Sequence, residues 1–74
     1  MHKISKPFGH VIRRQREKHN LSQERLAELA DIHRTYVSSI ELGKVAPGIE
    51  VLHKLAKALN VPLWKLIQEA EKAL

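Results

Sequence analysis

"LSQERLAELADIHRTYVSSIELG", residues 21–43, holds two short apolar patterns in succession. Apolar residues return every three or four positions, the spacing of one helical face. Leu26, Ala27 and Ala30 form such a face behind Ser22, a residue type that caps helix N-termini. Asp31 breaks the pattern, and a second run follows with Val37 and Ile40 as its inward aliphatics. Gly43 supplies the left-handed residue with which helices commonly end. The stretch predicts two short helices joined by a tight turn, over about residues 23–42.

The second of these, "HRTYVSSIE" (33–41), is too short to persist on its own. At 3.6 residues per turn, Val37 and Ile40 point one way, flanked by His33 and Glu41. Thr35, Ser39 and Leu42 point the other way, with Ser38 beside them and Arg34 in the exposed first turn. Short hydroxyl side chains allow close approach to a partner, and an arginine can fork onto guanine O6 and N7. A helix of this kind after a three- or four-residue turn is the helix-turn-helix arrangement. On composition alone, the same hydroxyl residues read equally well as solvated surface.

Working outward, a first helix is predicted over residues 6–19, with Ser5 as its N-cap and Pro7 tolerated in the first turn. Phe8, Val11 and Ile12 share one stripe of it, and Asn20 is a left-handed stop. "KVAPG" reads as a loop. A fourth helix over 49–59 turns Leu52, Leu55, Ala56 and Leu59 inward, and Asn60 stops it. A fifth runs from 62 or 63 to 73. No strand pattern competes, so the chain is expected to be a compact all-α domain of five helices, one unit over residues 1–74.

The 74 residues hold 13 Lys and Arg against 8 Asp and Glu, a net charge of +5. The excess sits at the start: Lys3, Lys6, Arg13, Arg14, Arg16 and Lys18 precede residue 20, with Glu17 their sole acidic neighbour. A basic end on a small domain points to a polyanion, commonly nucleic acid. Absence of cysteine removes disulfides and thiolate metal sites and fits a reducing compartment. No apolar run nears the roughly 18 residues of a membrane span, and no signal-peptide pattern opens the chain, so a cytoplasmic, nucleoid-associated protein is expected.

Together these segments resemble the Cro/repressor-type (XRE) helix-turn-helix family, the lambda repressor-like DNA-binding domain. "LSQE-LA", the turn, "YVS-IE-GK", Pro47 and "L-KLAKALNVPL-KL" carry the resemblance, which extends over about residues 8–67. It implies a transcription regulator, repressor or activator, that binds an inverted-repeat operator in double-stranded DNA as a homodimer. Arg34, Thr35, Ser38 and Ser39 fall where the family reads base edges. Ser22, Gln23, Tyr36 and Lys44 fall at phosphate-contacting positions, Gln23 also where the family braces the recognition helix, with the N-terminus of the fourth helix beside Lys44; for Tyr36, packing against that helix is an equal alternative. Arg16 and Glu41 match a structural ion pair, so Arg16 is not counted among DNA contacts. Ile49, Val61, Pro62 and Trp64 fall in the family's dimer interface. Glu24 and Glu28 match a surface that touches RNA polymerase in related phage repressors. The bland account of those two is a first-turn acid favoured by the helix dipole and a partner for Arg25.

The chain departs from the family pattern in places. Gln15 stands where an aliphatic is usual, so the first helix is expected to pack less well there. Asp31 replaces a glycine, and His33, Gly48 and Pro62 replace capping residues, so the caps there depart from the family pattern. A restriction–modification controller is the favoured sub-class, because small stand-alone members with an "HRTYVS"-like helix include such proteins. No ligand-sensing domain, small-molecule ligand or cofactor is expected, so response would follow the protein's own concentration.

The competing reading keeps the fold as an antitoxin or protein-binding adaptor. Larger apolar or acidic residues on the outer face of the third helix would favour it, whereas Arg, Thr and Ser stand there. The histidines at 2, 10, 19, 33 and 53 lack the three- or four-residue spacing that pairs imidazoles on one helical face, so no metal is expected. A hydrolytic triad needs a cleft and an oxyanion hole, and five small helices offer little concavity, so no enzyme is expected.

Overall fold

In the computed structural model, which describes residues 3–74, the chain forms α1 (Ser5–Lys18), α2 (Gln23–Ala30), α3 (Arg34–Glu41), α4 (Ile49–Leu59) and α5 (Leu63–Lys72). His2, one of the histidines considered above, lies outside the described residues. The stripes read from the sequence meet in one core. Phe8, Val11 and Ile12 of α1 pack with Leu26, Ala27 and Ala30 of α2 and Val37 and Ile40 of α3. Leu55, Ala56 and Leu59 of α4 and Leu66 and Ala70 of α5 close it. Helix α1 lies against α3 and α5, and α2 against α3 and α4.

Four helices end by one device. Asn20, Asp31, Gly43 and Asn60 each adopt positive φ, between 55° and 74°. The next residue then donates its backbone N–H back into the helix: Leu21 to Arg16, Ile32 to Ala27, Lys44 to Ser39 and Val61 to Ala56, all at 3.0 Å. This is the Schellman closure, and a hydrophobic residue after the left-handed position commonly packs down beside it. Leu21, Ile32 and Val61 do so against the core. Asp31 thus fills the role of the glycine it replaces, since Asp and Asn tolerate left-handed φ better than other side chains.

One N-terminal cap differs from expectation. Ser5 is not the cap of α1: that place falls to Ile4, with no side-chain bond. Ser5 is itself helical and buried, because the helix begins one residue early with the Phe8 N–H on the Ile4 carbonyl at 2.9 Å. His33, standing where the family has a capping Ser or Thr, caps α3 with its ring Nδ1, which accepts the Thr35 backbone N–H at 3.2 Å. Ser22 caps α2 through its hydroxyl oxygen, which accepts from the Arg25 N–H at 3.0 Å. Gly48 and Pro62 give α4 and α5 no side-chain cap. Gln15 is half-buried.

One packing detail carried no expectation. Gly9, in the middle of α1, is buried, and a Cβ there would strike the backbone carbonyl of Ile40 and lie 2.7 Å from that of Glu41. The backbone of α1 therefore rests on the last turn of α3. Close approach is the reason for a glycine inside an otherwise regular helix, where it costs about 0.5–1 kcal/mol relative to alanine.

Candidate nucleic-acid interface

Helix α3 is held by α1 and α2, and its outer face is left open. The turn Asp31–Ile32–His33 reverses the chain after α2, with Ile32 packed on the core beneath. Beyond that turn, Arg34 and Thr35 are exposed, Ser38 and Ser39 are half-buried, and Val37 and Ile40 are inside. Ser22, Gln23, Arg34, Thr35 and Ser38 line one open hollow of about 620 Å³, together with Arg16 and Glu24. Of the residues assigned to bases or phosphates by resemblance, the structure brings these five together. Ser39 and Tyr36 are placed farther round α3, and exposed Lys44 follows its left-handed stop.

One carboxylate fixes α3 in this position. Glu41, its side chain 3% exposed, receives Arg16 in a two-pronged pair: Nε to Oε2 at 2.6 Å and Nη2 to Oε1 at 3.1 Å. The remaining Arg16 nitrogen, Nη1, donates to the Leu21 carbonyl at 2.9 Å. The hydrogen bond to Glu41 holds the Arg16 guanidinium above its usual pKa, outweighing the cost of burial, and the charges of Glu41 and Glu17 add to it.

Gln23 donates its amide to Glu41 Oε1 at 3.0 Å, so this side chain joins α2 to α3. A primary amide carries two N–H donors and one acceptor, which leaves Gln23 a second donor for a phosphate. Thr35 turns its hydroxyl to His33 Nδ1 at 2.8 Å. Tyr36 is half-buried and packs against the core.

The two acids of α2 are engaged differently. Glu28 pairs with Arg25 at 3.1 Å, and Glu24 faces Arg34 across the turn at 3.9 Å. On another part of the surface, Trp64 is 66% exposed and Ile49 is 69% exposed. Ile49 borders a shallow hollow with Glu50, His53 and Lys54, whose walls do not include Trp64. Pro62 is exposed and Val61 half-buried. Among the described residues, no group of three or more His, Asp or Glu is placed to hold a metal ion. No helix among them is long and apolar enough to cross a membrane.

Comparison with known proteins matches this geometry to named relatives. Residues 12–63 match the helix-turn-helix model HTH_3. The control protein C.SmaI of Serratia marcescens is 45% identical over 64 residues, covering 86% of this chain and 76% of that protein. The control protein C.MunI of a Mycoplasma species is 40% identical over 73 residues, covering 97% and 99%. The crystal structure of the restriction-modification controller protein C.AhdI from Aeromonas hydrophila superposes with a TM-score of 0.80 at 37% identity, covering 81% of this chain and 91% of that one. With its two-helix unit, its open hydroxyl-and-arginine face and a match over most of its length, the chain belongs to the XRE-type helix-turn-helix family of DNA-binding transcription regulators.

Proposed function

We propose that the protein is a homodimeric controller that binds an inverted-repeat operator and sets transcription of a restriction–modification operon. The observation that carries this is the outer face of α3: Arg34, Thr35 and Ser38 in one hollow with Ser22 and Gln23, on a helix locked from behind by Arg16 and Glu41. Base contacts come from Arg34, Thr35, Ser38 and Ser39, and phosphate contacts from Ser22, Gln23, Tyr36 and Lys44. The first turn of α4, uncapped by any side chain, adds backbone N–H groups of the kind that bind anions. Phosphates give affinity and register, whereas base edges give sequence.

Exposed Trp64 and Ile49, with Pro62 and Val61, form the surface for a second copy. A large exposed aromatic on so small a domain fits a partner surface. Similarity to several control proteins of restriction–modification systems supports the regulated target and a cytosolic location. Glu24 and Glu28, both exposed on α2, are the surface offered to RNA polymerase bound next door.

The deciding experiment is selection of bound duplexes from random DNA by the full chain. Recovery of a two-fold symmetric site supports the reading, and enrichment of no sequence rejects it.

A further inference from the structure

Glu24 and Arg34 form a ridge between two hollows, since both side chains line each of them. On one side lie Ser22, Gln23, Thr35 and Ser38. On the other lie Glu28, Asp31 and His33, in an open hollow of about 650 Å³. Arg34 is the sole arginine or lysine in the wall of this second hollow, opposite three carboxylates. Of those three, Glu28 is taken up by Arg25. Glu24 is the one that approaches Arg34, its Oε2 lying 3.9 Å from Nη1.

We propose that Glu24 is a specificity-determining residue: its carboxylate holds the Arg34 guanidinium at the base-reading face and withholds that charge from random phosphates. This rests on the DNA-binding reading above. A free guanidinium is drawn to any phosphate, and such contacts make up nearly all non-specific affinity. Arginine carries five N–H donors in a fixed fork. Two of them satisfy guanine O6 and N7, which leaves others for Glu24, so the pair survives on a site that presents guanine. On random DNA the partner is an anionic phosphate, which repels the Glu24 carboxylate beside Arg34, whereas the neutral guanine edge does not. Both side chains are more than half exposed, so the pair shifts an equilibrium by a factor of only about 1.5 to 5. A factor of that size in the ratio of specific to non-specific binding is measurable. A purely local role for Glu24, as a first-turn acid favoured by the α2 dipole, would not depend on Arg34 or on DNA sequence.

The test measures binding of the full chain to its selected duplex and to a random duplex of equal length, across a salt series. Glu24→Gln should gain about two- to fivefold on random DNA at low salt, with a log–log salt slope steeper by up to about one. No matching gain should appear on the selected duplex, so the specificity ratio falls. Glu28→Gln, which removes the same charge from beside Arg25, should move both duplexes together. In an Arg34→Ala background, the effect of Glu24→Gln on the ratio should vanish. Equal gains on both duplexes, or a fall in the ratio that persists without Arg34, would overturn the proposal while leaving the DNA-binding reading intact. A wild-type chain that binds neither duplex overturns both.

Discussion

Arg16, near the end of α1, forks onto Glu41, the last residue of α3, and Gln23 at the start of α2 donates to the same carboxylate. Three helices are thus joined through one buried acid. The pair positions the recognition helix more than it adds net stability, because burying two charges costs much of what their attraction returns. Breaking it on one side is another matter. Arg16→Met should destabilise the fold by about 3–5 kcal/mol, since it leaves Glu41 charged and buried. Arg16→Met with Glu41→Leu should recover much of that loss in denaturant titrations. A single-variant cost below about 1 kcal/mol would mean that Glu41 finds other solvation. For pH, the sign is set by the raised Arg16 pKa: its contribution is complete below the unfolded value and fades only as pH climbs through the folded one. Both lie far above neutrality, so Arg16 should add no slope to stability near pH 7.

Gly9 should tolerate no side chain. Gly9→Ala gains about 0.5–1 kcal/mol in helix propensity but drives a methyl into the Ile40 and Glu41 carbonyls. Backbone must move, and overpacking of this kind costs about 1–3 kcal/mol. The net expectation is a lower denaturation midpoint together with weaker operator binding, because the displaced element is α3. A more stable Gly9→Ala would show that α1 and α3 separate easily.

Arg34→Ala should cost about 1–3 kcal/mol on the selected operator and little on random DNA. Lys44→Ala should do the reverse, weakening every sequence and flattening the salt slope. Equal losses for Arg34→Ala on both duplexes would make Arg34 a phosphate contact. Gln23→Ala is less clean, because it also removes a donor from Glu41; its loss of DNA affinity should come with a loss of stability of about 1 kcal/mol.

Trp64→Ala should shift sedimentation towards monomer and lower operator affinity, with little change in the monomer's own core. Paired recognition helices in such dimers sit about 34 Å apart, one DNA turn, so the half-sites should be centred on that spacing or a multiple. A variant that stays dimeric would move the interface elsewhere, with Ile49 next in line.

At protein concentrations that fill the operator, Glu24→Gln with Glu28→Gln should keep occupancy and lose activation of a promoter just downstream. Occupancy and transcript are read side by side. Unchanged transcript would leave Glu28 as the partner of Arg25 and Glu24 as the neighbour of Arg34.

The order and extent of the helices were legible because their signals are local. Apolar spacing marked each buried stripe, and Asn20, Asp31, Gly43 and Asn60 stand where the backbone turns left-handed, with Leu21, Ile32 and Val61 after them to pack down. The caps were less legible. A serine at position 5 looks like a cap, but the packing of Ile4 and Phe8 starts the helix earlier and buries the hydroxyl. A histidine at 33 does not look like one, yet its ring nitrogen stands where an acceptor is needed.

Residue type, spacing and charge therefore determined by themselves a five-helix chain with a turn-linked pair and a polar outer face on α3. Which side chains meet across helices is set by the packed fold. The resemblance supplied Arg16 with Glu41 and Gln23 as a brace of the recognition helix, but nothing in the sequence says that Gln23 braces it through Glu41, that Gly9 admits the backbone of α3, or that Glu24 leans towards Arg34 rather than Glu28. The reason is physical. Helical periodicity is written in neighbours three and four residues apart, whereas a contact 18 or 25 residues away depends on how the packed core orients whole helices.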